Sequence, residues 1–290
     1  MTDRRKFLKN SAFAAMALSI PFAGKSSSLF SPAPFKALPA FGLQLWTVKE
    51  DMVSNASATL KMVSGYGYKQ IESFEGEKGI FWGWKNTEFK KYMDDLEMKI
   101  ISSHCDIQKD FERKAAEAAE IGMSYLICPW KGPQKSIDDF KKFADEFNKC
   151  GEICKKNGIR FAYHNHDYSF KPINGQVPQE VMMNGTDKNL VDFEMDIYWV
   201  VAAGEDPKAW FAKHPGRFKL CHVKDLAKTA KGHESVQIGK GTIDFKSILK
   251  AGTGKGLKYY IVEQEAFTGS TPLESAQADA KYMKEHPPTP

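Results

Sequence analysis

The chain reads as an α/β protein, a (β/α)8 barrel, on three observations. Eight short apolar runs rich in β-formers recur along it, each followed by a longer stretch with helical periodicity. After an N-terminal segment that looks like an address, about 250 residues remain, the usual size of one such barrel. The last four runs end on metal-type ligands: His164 (with His166), Asp196, His222 and Glu263.

The eight runs are Phe41–Thr47, Lys69–Phe74, Lys99–His104, Tyr125–Trp130, Arg160–His166, Leu190–Ile197, Phe218–Lys224 and Lys258–Glu263. Between them lie amphipathic segments such as TEFKKYMDDLEM, FERKAAEAAEIGM and SIDDFKKFADEFNKCGEICKKNG. Glycines precede several strands, at Gly65/Gly67, Gly122, Gly158 and Gly256, where a helix can end in a left-handed cap. Ser136 and Asp206 stand at helix starts, and Pro207 takes the first helical position after Asp206. Alternating strand and helix units give a parallel sheet with right-handed crossovers, and eight of them close naturally. An open doubly wound sheet is the alternative, but no strand is followed by a GxGxxG or Walker A loop.

Residues 1–23 are expected to be an export signal. Arg4 and Arg5 lead RRKFLKN, and the apolar stretch Ser11–Ile20 follows, far short of the roughly 20 residues that span a bilayer. Twin arginines before Phe-Leu-Lys resemble the twin-arginine pathway, which implies a periplasmic or exported protein. An ordinary Sec signal or a retained tail is the alternative. Pro21-Phe22-Ala23 marks the expected cleavage region. Residues 24–39, rich in Ser, Pro and Ala, suit a flexible linker; 40–285 form the barrel and 286–290 a tail. The net charge is +5, of which residues 1–25 supply four through Arg4, Arg5, Lys6, Lys9 and Lys25 against Asp3. The remainder is nearly neutral, which gives nucleic-acid binding no support. Once the signal is removed, nothing calls for a membrane. Cys105, Cys128, Cys150, Cys154 and Cys221 form no disulfide framework and read as buried free thiols.

In a strand, residues two apart share a face. His164 and His166 therefore point together, as do Asp192, Glu194 and Asp196, with Asp196 nearest the rim, and Glu263 with Glu265. The C-terminal rim of a parallel barrel collects such residues into one pocket. His164, Asp196, His222 and Glu263 are the expected ligands of one divalent cation; mixed N/O ligation suits Mn, Zn, Co, Fe or Mg. Glu72 lies toward the end of the second run and His104 ends the third, and Trp46, Trp130 and Tyr198 lie at strand ends where aromatic walls would face a sugar. Lys224 follows the strand of His222 and could carry a proton or stabilise an enolate.

These motifs, with HNHD (164–167), His-Val-Lys-Asp (222–225), Gly-Lys-Gly-Thr-Ile-Asp-Phe (239–245) and Val-Glu-Gln-Glu (262–265), resemble the xylose-isomerase-like TIM-barrel superfamily, the sugar phosphate isomerase/epimerase group, over residues 40–285. The resemblance implies four ligands, usually Glu, Asp, His and Glu, around one cation. Asp196, His222 and Glu263 match the last three, and His164 stands where the first Glu is usual. It implies a metal-dependent isomerase or epimerase acting on a sugar or keto-sugar through an enediolate, with Glu263, His166 and Lys224 as catalytic candidates. Glu72, His104, His166, Trp46, Trp130 and Tyr198 would contact substrate, and pairing into a homodimer is expected on family grounds. His164 in place of Glu resembles inosose-dehydratase-like branches, so a lyase or dehydratase is the competing reading. A non-catalytic sugar-binding barrel is the reading from a different class. Endonuclease-IV-type chemistry would need His where Trp199 stands, which argues against a nucleic-acid substrate.

Overall fold

The computed structural model describes residues 40–230 and 232–288. The expected export signal and linker, 1–39, lie outside the described residues. In chain order the elements are β1 (Gly42–Gln44), α1 (Lys49–Tyr66), β2 (Gln70–Phe74), α2 (Asn86–Asp95), β3 (Lys99–His104), α3 (Phe111–Glu120), β4 (Tyr125–Cys128), α4 (Ile137–Lys156), β5 (Arg160–His164), α5 (Pro178–Gly185), β6 (Val191–Asp196), α6 (Ile197–Ala202), α7 (Pro207–Lys213), β7 (Phe218–Val223), β8 (Asp225–Thr229), β9 (Gly232–Val236), α8 (Phe245–Thr253), β10 (Tyr259–Val262) and α9 (Pro272–Glu285). All eight expected runs are strands. They close a parallel barrel in which β1 to β7 follow one another and β10 joins β7 back to β1. No helix among the described residues is long and apolar enough to cross a membrane.

Local chemistry sets the boundaries. Gly67, Gly122, Gly158 and Gly256 all adopt positive φ after a helix, and the Gly67 N–H closes onto the Ser64 carbonyl at the end of α1. The side chains of Ser136 and Asp206 accept from the N–H of Asp138 and Lys208 at the starts of α4 and α7. Three runs stop two or more residues earlier than expected. β1 passes at Leu45 into a 3-10 turn (Leu45–Val48), β4 stops before Pro129, and β5 stops at His164. Trp46, Trp130 and His166 consequently stand on the loops above the barrel.

Two apolar cores sandwich the strands. The larger lies between strands and helices: Phe147 of α4 is fully buried and stacks on Tyr163 of β5 with ring centroids 5.0 Å apart. Full burial of such a ring is worth about 1.5–3 kcal/mol, and it fixes the strand that carries His164. The smaller core is Tyr125, Ile127, Ala162 and Leu220. Ala162 and Leu220 are two residues before His164 and His222, so they share the inward face and form the barrel's apolar plug. Below it, Asp192 accepts from Tyr125 Oη at 2.8 Å and from Arg160 Nε. Asp192 thus belongs to the bottom of the barrel, although it lies on the same strand face as Asp196.

The antiparallel hairpin β8–β9 is the one addition that the strand pattern does not foretell. It explains two of the sequence motifs. Fully buried Asp225 accepts from the backbone N–H of Leu226, Gly239, Gly241 and Ile243 at 2.8–3.2 Å, stapling 239–243 beneath the hairpin. A Cβ at Gly241 would lie 2.2 Å from Asp225 Oδ1, so this loop requires glycine there. Beside it, Asp279 of α9 accepts from the Ile238 N–H at 2.7 Å, while its Oδ2 is buried without a partner.

Burial raises the Asp279 carboxyl to about 7, with Asp225 adding to the rise. The folded state therefore binds more protons than the unfolded one between the ordinary carboxyl value and about 7. On that sign, stability from this group falls as pH rises through the window. Asp279→Asn should gain on the wild type between pH 4 and 7, by about 2–4 kcal/mol in total, and no further above. Calorimetric unfolding at pH 4, 6 and 8 checks this; a stability gap that does not change with pH would contradict it.

Candidate metal centre and pocket

The strand register assembles the site. His164 pairs with Glu194 across β5 and β6, and Asp196 pairs with His222 across β6 and β7. Glu263 extends β10 by one residue, its N–H donating to the Val223 carbonyl. Asp196, His222 and Glu263 thus bring ligand atoms within 4.8 Å of one another at the mouth, and His164 joins them through Asp196. Asp196 Oδ2 lies 3.7 Å from His164 Nε2 and 3.8 Å from His222 Nδ1, and Glu263 Oε2 lies 3.1 Å from His222 Nδ1. Ligands each about 2.1 Å from one ion stand about 3.0–3.4 Å apart in octahedral or tetrahedral arrangements, close to these separations.

Beneath them is a second layer. His222 Nε2 lies 2.7 Å from Glu72 Oε1, and His164 Nδ1 lies 3.0 Å from Glu194 Oε2. His104 Nε2 bridges the same two carboxylates, at 2.9 Å from Glu194 and 3.1 Å from Glu72. Gln44 Nε2 and Ser102 Oγ complete the shell of Glu72, donating at 2.7 and 2.5 Å. His104, His164, Glu194 and His222 could by proximity form a ligand group of their own. Their mutual distances, however, are those of N–H···O hydrogen bonds. Each of His164 and His222 therefore gives one nitrogen to a buried carboxylate and turns the other toward Asp196, the arrangement by which proteins fix the tautomer of metal-binding histidines.

The donor set fits a divalent cation. Asp196 Oδ2, which faces both histidines, is buried without a hydrogen-bond partner, and so is Glu194 Oε1. Buried carboxylate oxygens without partners are rare and costly. Burial raises Asp196 despite the opposing charges of Lys224 and His222. Burial also works against ionised Glu263, but Lys224 and His222 overcome it and hold that carboxyl well below its ordinary range. Glu194 falls to about 2, because His222, His104 and His164 outweigh burial and the repulsion of Glu72. Against its own burial, His104 is raised to about 9 by Glu72 and Glu194. Burial and the positive His222 push His164 well below its usual value. His166 is lowered to about 3 by burial and the Lys224 charge.

Above the layer opens a pocket of about 410 Å³ walled by Trp46, Phe74, Trp130 and Trp199, with His166 on its side. Trp46 and Trp130 are 40% and 53% exposed at the rim. His104, His164 and Glu263 reach the pocket floor, while Asp196 and His222 are buried just behind. Three expectations need correction. Glu72, expected to meet substrate, is fully buried under the histidines, two residues before β2 ends at Phe74, as its expected run did. Tyr198 does not line the pocket; it begins α6 and lies 5.1 Å from the Lys224 ammonium. Lys224 is not a free amine: against its burial, Glu263 and Asp196 raise it above its ordinary value, and its Nζ lies 3.1 Å from Glu263 Oε2 and 2.5 Å from Glu265 Oε2. Sequence reasoning also passed over Glu194, whose signal was the Asp192–Glu194–Asp196 alternation, and Gln44 and Ser102, which carry no signal in one sequence.

A closed parallel barrel with a His/carboxylate cluster at its mouth defines the class, and comparison with known proteins gives the family. Residues 60–286 match the family model described as xylose isomerase-like TIM barrel, and the chain belongs to that family. A relative named inosose dehydratase from Clostridium beijerinckii is 30% identical over 218 residues, covering 67% of this chain and 72% of the relative. Another of that name, from Clostridium perfringens, is 30% identical over 51% of this chain, and the match spans only 55% of that protein's length. Among solved structures, a sugar phosphate isomerase/epimerase from Parabacteroides distasonis is 29% identical with a TM-score of 0.75, covering 87% of this chain and 96% of that one. The fold is also shared with an IOLI protein holding a zinc atom, at 16% identity, a TM-score of 0.69 and coverage of 85% and 97%.

Removing a ligand and removing its support should differ in degree. Asp196→Asn should abolish stoichiometric binding of zinc or manganese, whereas Glu194→Gln should weaken it about 10- to 100-fold. Metal content after dialysis against graded chelator distinguishes the two; equal retention in both variants and wild type would contradict the assignment of layers.

Proposed function

We propose that the chain is a divalent-metal-dependent dehydratase of a keto-polyol of the inosose kind, exported before it acts. The observation that carries this reading is the convergence of His164, Asp196, His222 and Glu263 under an aromatic pocket, with Asp196 Oδ2 unpartnered. When bound there, the cation would polarise the substrate carbonyl and acidify the C–H beside it. His166, which lines the pocket and whose Nδ1 has no partner in the fold, takes that proton. Lys224 holds fixed positive charge behind Glu263, favouring the enolate that develops. His104, held as imidazolium between Glu72 and Glu194 and open to the pocket, gives its proton to the departing β-hydroxyl. The substrate loses one water and gains a C=C bond conjugated to its carbonyl.

Isomerisation or epimerisation is the second reading, supported by the Parabacteroides neighbour. It returns the proton to carbon, and is served best by two carboxylates flanking the substrate. Here His164 occupies one of those places and its Nδ1 is engaged with Glu194, which favours elimination. The names of the sequence relatives point the same way.

Incubation of the metal-loaded protein with an inosose and with ketohexoses in D₂O separates the readings. Elimination gives a product lighter by one water with enone absorbance. Deuterium in recovered or epimerised sugar without dehydration would overturn it in favour of isomerisation, and neither result would leave a non-catalytic barrel. His166→Ala should retain metal and lose about 10²- to 10⁴-fold in kcat; unchanged kcat would remove His166 from the proton transfer.

A further inference from the structure

Residues 40–290 carry no net charge, yet closure of the barrel distributes their charges unevenly. Residues 155–160, 187–192, 217–219 and 255–258 lead into four adjacent strands, β5, β6, β7 and β10, at the end of the barrel opposite the pocket. These segments hold eight cationic side chains against two acids, Asp187 and Asp192. Both arginines are engaged within the fold. Arg160 bonds to Asp192, and Arg217 donates to the Met183 carbonyl and to Thr186 Oγ1, both at 2.8 Å. The other six are Lys155, Lys156, Lys188, Lys219, Lys255 and Lys258. None of them has a carboxylate within 4.0 Å among the described residues, and all but Lys219 are exposed. Lys155 and Lys156 end α4, where a cation offsets the helix dipole. The remaining four lie off the helices and serve no helix end. Lys219 and Lys258 even stand side by side, the Lys258 N–H donating to the Lys219 carbonyl at 2.9 Å, although like charges on neighbouring strands repel.

We propose that this basal patch docks the protein on an anionic lipid surface and leaves the pocket facing solution. Neighbouring strands lie about 4.8 Å apart, so the lysines are spread over roughly 15 Å and do not gather around one small anion. A sheet of phospholipid headgroups meets scattered ammonium groups together, and lysine, a hydrated point charge, makes no demand for a planar partner. The exposed large apolar side chains, Trp46, Val53, Met62 and Trp130, all lie outside these segments. The patch therefore has no ring for a nucleic-acid base to stack on and no wedge to insert, and its attachment is electrostatic. The chain also enters the barrel at this end, through Gly42 of β1 beside β10, so the expected export segment is joined on the basic side. The charge balance of the sequence hides the patch, because its lysines come together only when the strands close. This inference does not depend on the reaction assigned above.

Flotation of the full chain with vesicles of phosphatidylcholine, alone or with about 30% phosphatidylglycerol, tests it at low salt and in about 0.5 M NaCl. The protein should bind only the anionic vesicles, and the higher salt should weaken binding at least about tenfold. Two double variants, Lys255→Glu with Lys258→Glu and Lys155→Glu with Lys156→Glu, should each weaken it at least about fivefold. Lys78→Glu with Lys85→Glu, on a loop at the opposite end, should leave it within about twofold. Every variant keeps Arg4, Arg5, Lys6 and Lys9, so the differences report the patch and not the N-terminal segment. Equal binding to both kinds of vesicle, or binding to neither, overturns the proposal, as does unchanged binding in either patch variant. Tighter binding to heparin than to anionic vesicles at matched charge overturns the choice of a lipid surface.

Discussion

Two carboxylates sealed inside the barrel, Glu72 and Glu194, are what the site rests on. Neither has any exposed surface, and an isolated charge at such a depth would be prohibitively expensive. The structure answers with Gln44, Ser102, His104 and His222 around Glu72, and with His104, His164 and His222 around Oε2 of Glu194. The histidines cannot turn without leaving a buried carboxylate exposed to repulsion. Their outward nitrogens are therefore aimed before any ligand arrives, and preorganisation of this kind is where enzymes gain most.

The upper layer is the inverse. There Asp196, Glu263 and Glu265 share one ammonium, Lys224, and Asp196 Oδ2 has no hydrogen bond. A lower layer that fixes the histidines and an upper layer deficient in positive charge are what a cation site needs, with rigid support and an incomplete surface. The aromatic rim extends this logic outward. Trp130 packs edge-on against both His166 and Tyr168 at centroid distances of 4.5 and 4.8 Å, so the wall of the pocket also fixes the imidazole assigned to proton transfer.

Much of this was legible in the sequence because period-two alternation and strand-end position are local signals. Eight strands, the helix caps at Gly67, Gly122 and Gly158, and the convergence of His164, Asp196, His222 and Glu263 all follow from them. Depth is not a local signal. Glu72 and Asp196 look alike as acids near strand ends, yet one lies two residues short of its strand's end and the other on the last residue. The same blindness made Lys224 look like a proton carrier, since the neighbours that fix its charge, Glu263 and Glu265, are about forty residues away in sequence. The β8–β9 hairpin escaped for another reason: its strands, DLAKT and GHESV, are short and largely polar, so they lack the apolar alternation by which the barrel strands announce themselves.

The most direct measurement is anomalous diffraction at the zinc or manganese edge from a metal-soaked crystal of this protein. The account predicts a single strong peak at the barrel mouth within coordination distance of Asp196, His222 and Glu263, about 2.0–2.3 Å, with His164 on its open side. A peak bound instead by the inward nitrogens of His104 and His222 with Glu194, or no peak while all of these side chains keep their places, would contradict it.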